Sequence, residues 1–173
     1  PNQEWTVEYL ARSLHRLVEK IAEVGGKVPA NEEFQAMIKM ANRIRRVLRD
    51  YVETWRGAEQ VPSYCDDYAW LIRLSGEFFG DPIAASQIIQ DAYIEIKERA
   101  DKGIRGTEIV KDPVRLFVCG SCYVPHTFRI EKAGGAVVGY DDFWNRVLVD
   151  VEEEGDPYKN MAKAMLSFPY ERP

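Results

Sequence analysis

The chain has 173 residues, enough for one domain or two small ones, and a hydrophobic fraction of 46%, typical of a protein with a buried core. Its net charge of −5 argues against nucleic acid as the main partner, because no basic excess is present to neutralise phosphates. No apolar run approaches the roughly 18 residues that a membrane span needs, and the first residues do not form a signal peptide. Three cysteines, an odd count, do not suit a secreted disulfide framework, so we expect a cytoplasmic protein.

The first half of the chain has the apolar spacing of helices. Thr6 is the expected N-cap of the first helix, and Gly25-Gly26 are expected to end it, because glycine adopts positive φ without a Cβ penalty. Asn31 is the expected N-cap of a long second helix, with acidic residues in its first turn. A helix of this length is expected to pack against other helices.

Two further helices are predicted before residue 105. Ser63 and Asp66 have capping-box spacing at the start of the third helix. Asp81 is the expected N-cap of the fourth helix, because Pro82 after it suits the first helical position. Trp70, like most other aromatic residues, is expected in the core.

The pattern changes to α/β after a linker that ends at Pro113. Val114–Val118 is a predicted strand, a helix follows over about 127–133, and Ala136–Tyr140 is a second predicted strand. Strands joined through a helix are parallel. We therefore predict an α/β fold, with a helical segment over residues 1–105 followed by a partial Rossmann-like βαβ unit over residues 106–173. Asp156 followed by Pro157 repeats the cap-then-proline signal before a last short helix.

Two parallel strands do not form a stable sheet by themselves. Either other chains complete the sheet, or the sequence is a fragment of a longer polypeptide. We favour the fragment, since the sequence begins with Pro1 rather than Met.

The first predicted strand runs into Cys119-Gly-Ser-Cys122, at the edge of the sheet where α/β proteins bind ligands. The pair has three interpretations: ligands of a metal or iron–sulfur site, a thiol–disulfide pair with Cys119 as nucleophile, or two small apolar residues. A closed zinc site needs four ligands, and the candidates for the two ligands besides Cys119 and Cys122 are Cys65 and His126. His126 is either a general base or a helix-start residue. Asp141-Asp142, after the second strand, either orient a ligand or cap a helix.

Several runs in this order are similar to one family. They are Arg115-Leu-Phe-Val-Cys-Gly-Ser121, Ile130-Glu-Lys-Ala-Gly-Gly-Ala-Val-Val138, Gly155-Asp-Pro-Tyr158 and the Leu166-Ser-Phe-Pro169 ending, after a helical part that opens with Trp5. The chain resembles, over nearly its whole length, subunits of the 2-hydroxyacyl-CoA dehydratase and benzoyl-CoA reductase family. Its Trp- and Arg-rich helical part looks more like the benzoyl-CoA reductase branch.

The resemblance implies Rossmann-like lobes with a 4Fe–4S cluster held between them by cysteines. It implies single electrons from an ATP-dependent activator protein, partner subunits of the same enzyme, and an acyl-CoA thioester reduced through a ketyl or aryl radical. It places a cluster ligand in the loop after the first strand, so Cys122, or alternatively Cys119, is the expected metal ligand. No position is assigned for catalysis or substrate binding.

The regions that would carry the family's other cluster cysteines are not evident in this sequence, and Cys65 matches no ligand position. We therefore expect the chain alone to hold an incomplete ligand set and to be inactive by itself. Two alternatives stay open. The chain is then either a non-catalytic subunit-interaction module, with its long helices docking on a partner, or a thiol–disulfide oxidoreductase.

Overall fold

The computed structural model describes residues 4–77, 81–107, 109–119, 127–141 and 148–167. In chain order the elements are α1 (Glu4–Gly25), α2 (Asn31–Gly57), α3 (Cys65–Glu77), α4 (Pro82–Asp101), β1 (Val114–Cys119), α5 (Thr127–Lys132), β2 (Gly135–Asp141) and α6 (Pro157–Ser167). The predicted fold class is confirmed: N-terminal helices are followed by two parallel strands joined through a helix. None of the described helices is long and apolar enough to cross a lipid bilayer.

Residues group into two compact units, Pro1–Arg43 with Val149–Pro173, and Ile44–Leu148. The division into a helical segment over residues 1–105 and a partial Rossmann-like unit over residues 106–173 stays a prediction.

The first unit is built on the packing of α1 against α6. Its core contains Val7, Ala11, Tyr158 and Ala162, and partly buried apolar residues from α1, α2 and α6 surround them. The Tyr158 ring lies with its centroid 4.7 Å from that of His15 and 5.0 Å from that of Phe34. His15 therefore has a packing role.

A buried amide ties α2 to the segment before α6 in this unit. The side chain of Asn42 donates to the carbonyl of Val151 at 2.7 Å and accepts from the N–H of Val151 at 3.0 Å. It thus satisfies both backbone groups of one residue, as a neighbouring strand would.

Substituting Asn42 with alanine should destabilise the protein by about 3 kcal/mol, because it leaves the buried N–H and carbonyl of Val151 unpaired. Urea denaturation of wild type and variant measures the loss. Lys39→Ala removes an exposed ion pair with Glu154 on the same helix and is the control, for which we expect little change. Equal losses in the two variants would contradict this account.

The second unit places the strand pair next to the end of α2. Arg115 in β1 donates through Nη1 to the carbonyl of Arg56 at 2.8 Å, and through Nη2 to the carbonyls of Ala58 and Glu59. Arg56 in turn donates through Nε to the carbonyl of Val138 in β2 at 3.2 Å. The Arg115 guanidinium thereby pairs with the carbonyl of Arg56 in the last turn of α2 and with two carbonyls just after the helix, and the negative end of a helix favours such a cation.

The strands pair in parallel from Val114 with Gly135 to Cys119 with Asp141, and the register shifts between Leu116 and Phe117. Both strands were predicted to within one residue at each end. Because the strands are parallel, Cys119 and Asp141 lie at the same edge of the sheet.

Helix starts test the capping predictions. Asp81 accepts from the N–H groups of Ile83 and Ala84, and Asp156 accepts from those of Tyr158 and Lys159, so both cap-then-proline predictions are confirmed.

Other predictions about α1, α2 and α3 were wrong. Thr6 lies inside α1, which already includes Glu4. Ala30, not Asn31, caps α2: its carbonyl accepts from Phe34, and Glu33 accepts from its N–H. Trp70 is not in the core, since 61% of it is exposed and the Arg73 guanidinium lies 5.5 Å from its ring centroid.

Candidate functional site

The carboxyl edge of the β1–β2 pair is where the sequence predicts chemistry. The structure brings the backbones of Cys119 and Asp141 to that edge as register partners. The side chains of both residues, together with Cys122, His126 and Asp142, lie outside the part of the chain that is described. The roles of Cys119 and Cys122 as metal ligands therefore stay predictions.

Among the described residues, no group of three or more His, Cys, Asp or Glu side chains could hold a metal ion. Cys65, the third cysteine, is buried at the first position of α3. The described side chains by themselves thus do not form the ligand set of an iron–sulfur cluster.

A buried carboxyl group, Glu131, lies in the helix that connects the two strands. Its Oε1 accepts from the backbone N–H of Cys65 at 3.2 Å, and its Oε2 has no hydrogen-bond partner among the described residues. Burial raises the pKa of Glu131 to about 7, assisted by the charges of Asp66 and Asp67, while the hydrogen bond from Cys65 opposes the rise. This carboxyl group can therefore gain and lose a proton near neutral pH.

Sequence reasoning missed Glu131 as a special residue. A glutamate next to a basic residue on a short helix is usually solvent-exposed. One feature of the sequence could have indicated that Glu131 is buried. Glu131 lies between Ile130 and the Ala133-Gly134-Gly135 turn, within the run that carried the family resemblance. That position on the connecting helix faces the start of α3.

A second group of polar residues surrounds a cavity of about 420 Å³ between α2, α3 and α4. Asp67 accepts from the N–H of Tyr64 at 3.2 Å, and burial raises the pKa of this carboxyl group. Tyr51 shares a hydrogen bond with Ser63 at 3.2 Å, and burial raises its pKa to about 12, so the phenol stays protonated. Arg99 also lines the cavity, and its buried Nε has no acceptor among the described residues.

A family model described as 2-hydroxyglutaryl-CoA dehydratase, D-component, matches residues 1–172. The chain belongs to this family. The resemblance predicted from the cysteine loop, the Ala-Gly-Gly run and the Gly-Asp-Pro-Tyr run is thereby confirmed. The comparison with curated proteins gave no match.

The match includes all of β1, α5 and β2 as well as the helices before them. One family model therefore matches both the helical part and the strand pair.

Proposed function

We propose that the chain serves in a 2-hydroxyacyl-CoA dehydratase-type subunit that takes part in ATP-driven, one-electron reduction of an acyl-CoA thioester. The observation that carries the proposal is the family match over residues 1–172. We propose as partners the other subunits of the same enzyme and an ATP-dependent activator protein. A cytoplasmic setting goes with this function, because thiolate ligands must be kept reduced. Whether the substrate is a 2-hydroxyacyl-CoA or benzoyl-CoA stays a prediction.

Within this function, we propose Cys122, or alternatively Cys119, as a cysteine ligand of a 4Fe–4S cluster. The position of Cys119 at the carboxyl end of β1 supports this, since ligands of open α/β sheets bind beyond that edge. When bound, the cluster would supply single electrons at low potential. The protein's part is to hold cysteine thiolates at the sheet edge.

Anaerobic incubation of the assembled enzyme that contains this chain with iron and sulfide tests this proposal, because the chain by itself is expected to hold an incomplete ligand set. We expect a brown protein with a broad visible absorption band and an electron paramagnetic resonance signal after reduction. Cys122→Ser should lose most of both signals if Cys122 is the ligand, and Cys119→Ser should do so if the ligand is Cys119. Cys65→Ala is the matched control, because this buried cysteine should not contribute to either signal.

Two results would overturn the cluster assignment. One is equal iron incorporation in wild type and in the double variant that lacks Cys119 and Cys122. The other is insulin reduction by the metal-free protein that Cys119→Ser abolishes, which would indicate a thiol–disulfide oxidoreductase.

A further inference from the structure

The apolar stripe of α1 is longer than the surface that covers it. Apolar residues recur along α1 at alternating spacings of three and four, the heptad pattern of helices that pack lengthwise. The stripe consists of Val7, Leu10, Leu14, Leu17, Ile21 and Val24. Such a pattern predicts a helical neighbour along the whole of α1.

Only the first half of this stripe is covered by a described helix. Val7, Leu10 and Leu14 belong to the core that α1 forms with α6. Helix α1 has 22 residues and α6 has 11, so α6 is about half as long. The ring contact between His15 and Tyr158 places the start of α6 beside the middle of α1.

The second half of the stripe is open to solvent. Leu17 is 55% exposed, Ile21 62% and Val24 90%. Ile21 and Val24 line an apolar groove of about 750 Å³, which also includes Val18, Ala22, Pro29 and Met37. Contiguous exposed apolar surface of this kind marks an interaction site. We call Leu17, Ile21, Val24 and Met37 the open stripe.

The charges beside the open stripe are basic. Lys20 lies at a heptad position of α1 that flanks an interface, and Lys27 follows the end of α1. Both lysines line the groove. Their ion pairs with Glu23 and Glu33 are exposed, so exchanging those partners for others costs little. Glu19 and Glu23 lie on the outer heptad positions of α1, away from the stripe.

We infer that the open stripe docks an amphipathic helix of another protein, with apolar heptad positions and acidic flanks, as a continuation of the α1–α6 interface. A second copy of this chain fits less well. Antiparallel pairing about Ile21 brings Lys20 of one copy against Lys20 of the other, and like charges at these positions oppose pairing.

Two synthetic four-heptad peptides test this inference. Both carry leucine at the a and d positions, one with glutamate and the other with lysine at the e and g positions. Like charges at those flanks keep each peptide from pairing with itself. Fluorescence anisotropy with labelled peptide should show saturable binding of the acidic peptide, weakened by salt, and at least about tenfold weaker binding of the basic one.

Ile21→Lys should weaken binding of the acidic peptide by about tenfold or more, because it puts a charge at the centre of the contact. Ile83→Lys makes the same change at an exposed position of α4 and should bind like wild type. Circular dichroism checks that both variants remain folded. The inference is overturned if the two peptides bind equally, if Ile21→Lys has no effect, or if sedimentation shows a self-dimer that Ile21→Lys dissociates.

Discussion

Replacing Glu131 with glutamine should remove a loss of stability that the wild-type protein shows as the pH rises from about 4.5 to above 7. The pKa of this carboxyl group is raised from 4.5 to about 7 in the folded protein. The folded state therefore holds the proton more tightly than the unfolded state. Its contribution to stability is full below pH 4.5 and is lost as the pH rises through 7.

The expected size of the effect follows from the shift. One pKa unit corresponds to about 1.4 kcal/mol, so the free energy of unfolding should fall by roughly 3 kcal/mol over this range. Glutamine keeps an oxygen to accept from the N–H of Cys65 and carries no charge at any pH. Urea denaturation across the pH range should thus give a flatter profile for Glu131→Gln, which becomes the more stable protein at high pH.

Glu53→Gln makes the same charge change at an exposed position of α2 and should retain the wild-type profile. Asp67→Asn is a second comparison, because the raised pKa of Asp67 gives a dependence of the same sign. Parallel profiles for wild type and Glu131→Gln would show that the pKa of Glu131 is the same in the folded and the unfolded protein, contrary to what its burial requires.

The burial of Glu131 could not be predicted from the sequence, whereas the starts of two helices could. Asp81 and Asp156 cap their helices as predicted because their oxygens bond to amides two and three residues ahead, and the following proline has a fixed φ. All the groups involved are neighbours in the chain. The interaction is therefore fully specified by local sequence.

The start of α3 shows how tertiary contacts displace a local pattern. The predicted capping box was Ser63 with Asp66, but the observed bond runs from the N–H of Tyr64 to Asp67. Ser63 is engaged by α2 instead: its hydroxyl bonds with Tyr51 and its carbonyl accepts from Trp55. Residue spacing alone could not distinguish two possible capping interactions that are offset by one position along the chain.

The candidate site likewise contains one feature that the sequence predicts and one that it does not. The common edge for Cys119 and Asp141 could be predicted, because a short βαβ unit is parallel and its strand ends follow from the apolar runs. The contact between Glu131 and the start of α3 could not, since 66 positions separate Glu131 from Cys65. Trp70 was wrongly placed in the core for a related reason: its helical spacing matches buried neighbours, but no periodicity reveals which side of α3 is covered.

The contrast between Trp70 and Trp55 leads to the largest destabilisation that we expect from one side chain. Trp55 is fully buried, its ring lies 5.4 Å from that of Tyr68, and its Nε1 donates to the carbonyl of Ser63 at 3.1 Å. Trp55→Ala removes the apolar burial, leaves a cavity and unpairs that carbonyl, so unfolding should become easier by roughly 3–5 kcal/mol. Because a domain of this size is stable by only about 5–15 kcal/mol, the variant should lose a large fraction of its free energy of unfolding.

Trp70→Ala provides the matched control, since the same atoms are removed from a residue that is 61% exposed. We expect a loss of less than about 1 kcal/mol there, because the Arg73 contact on its ring is exposed and weak. Trp55→Phe should recover part of the loss by refilling the space without the N–H donor. Guanidinium denaturation followed by circular dichroism ranks the three variants. An equal loss for Trp55→Ala and Trp70→Ala would mean that the aromatic cluster at the end of α2 does not stabilise the second unit.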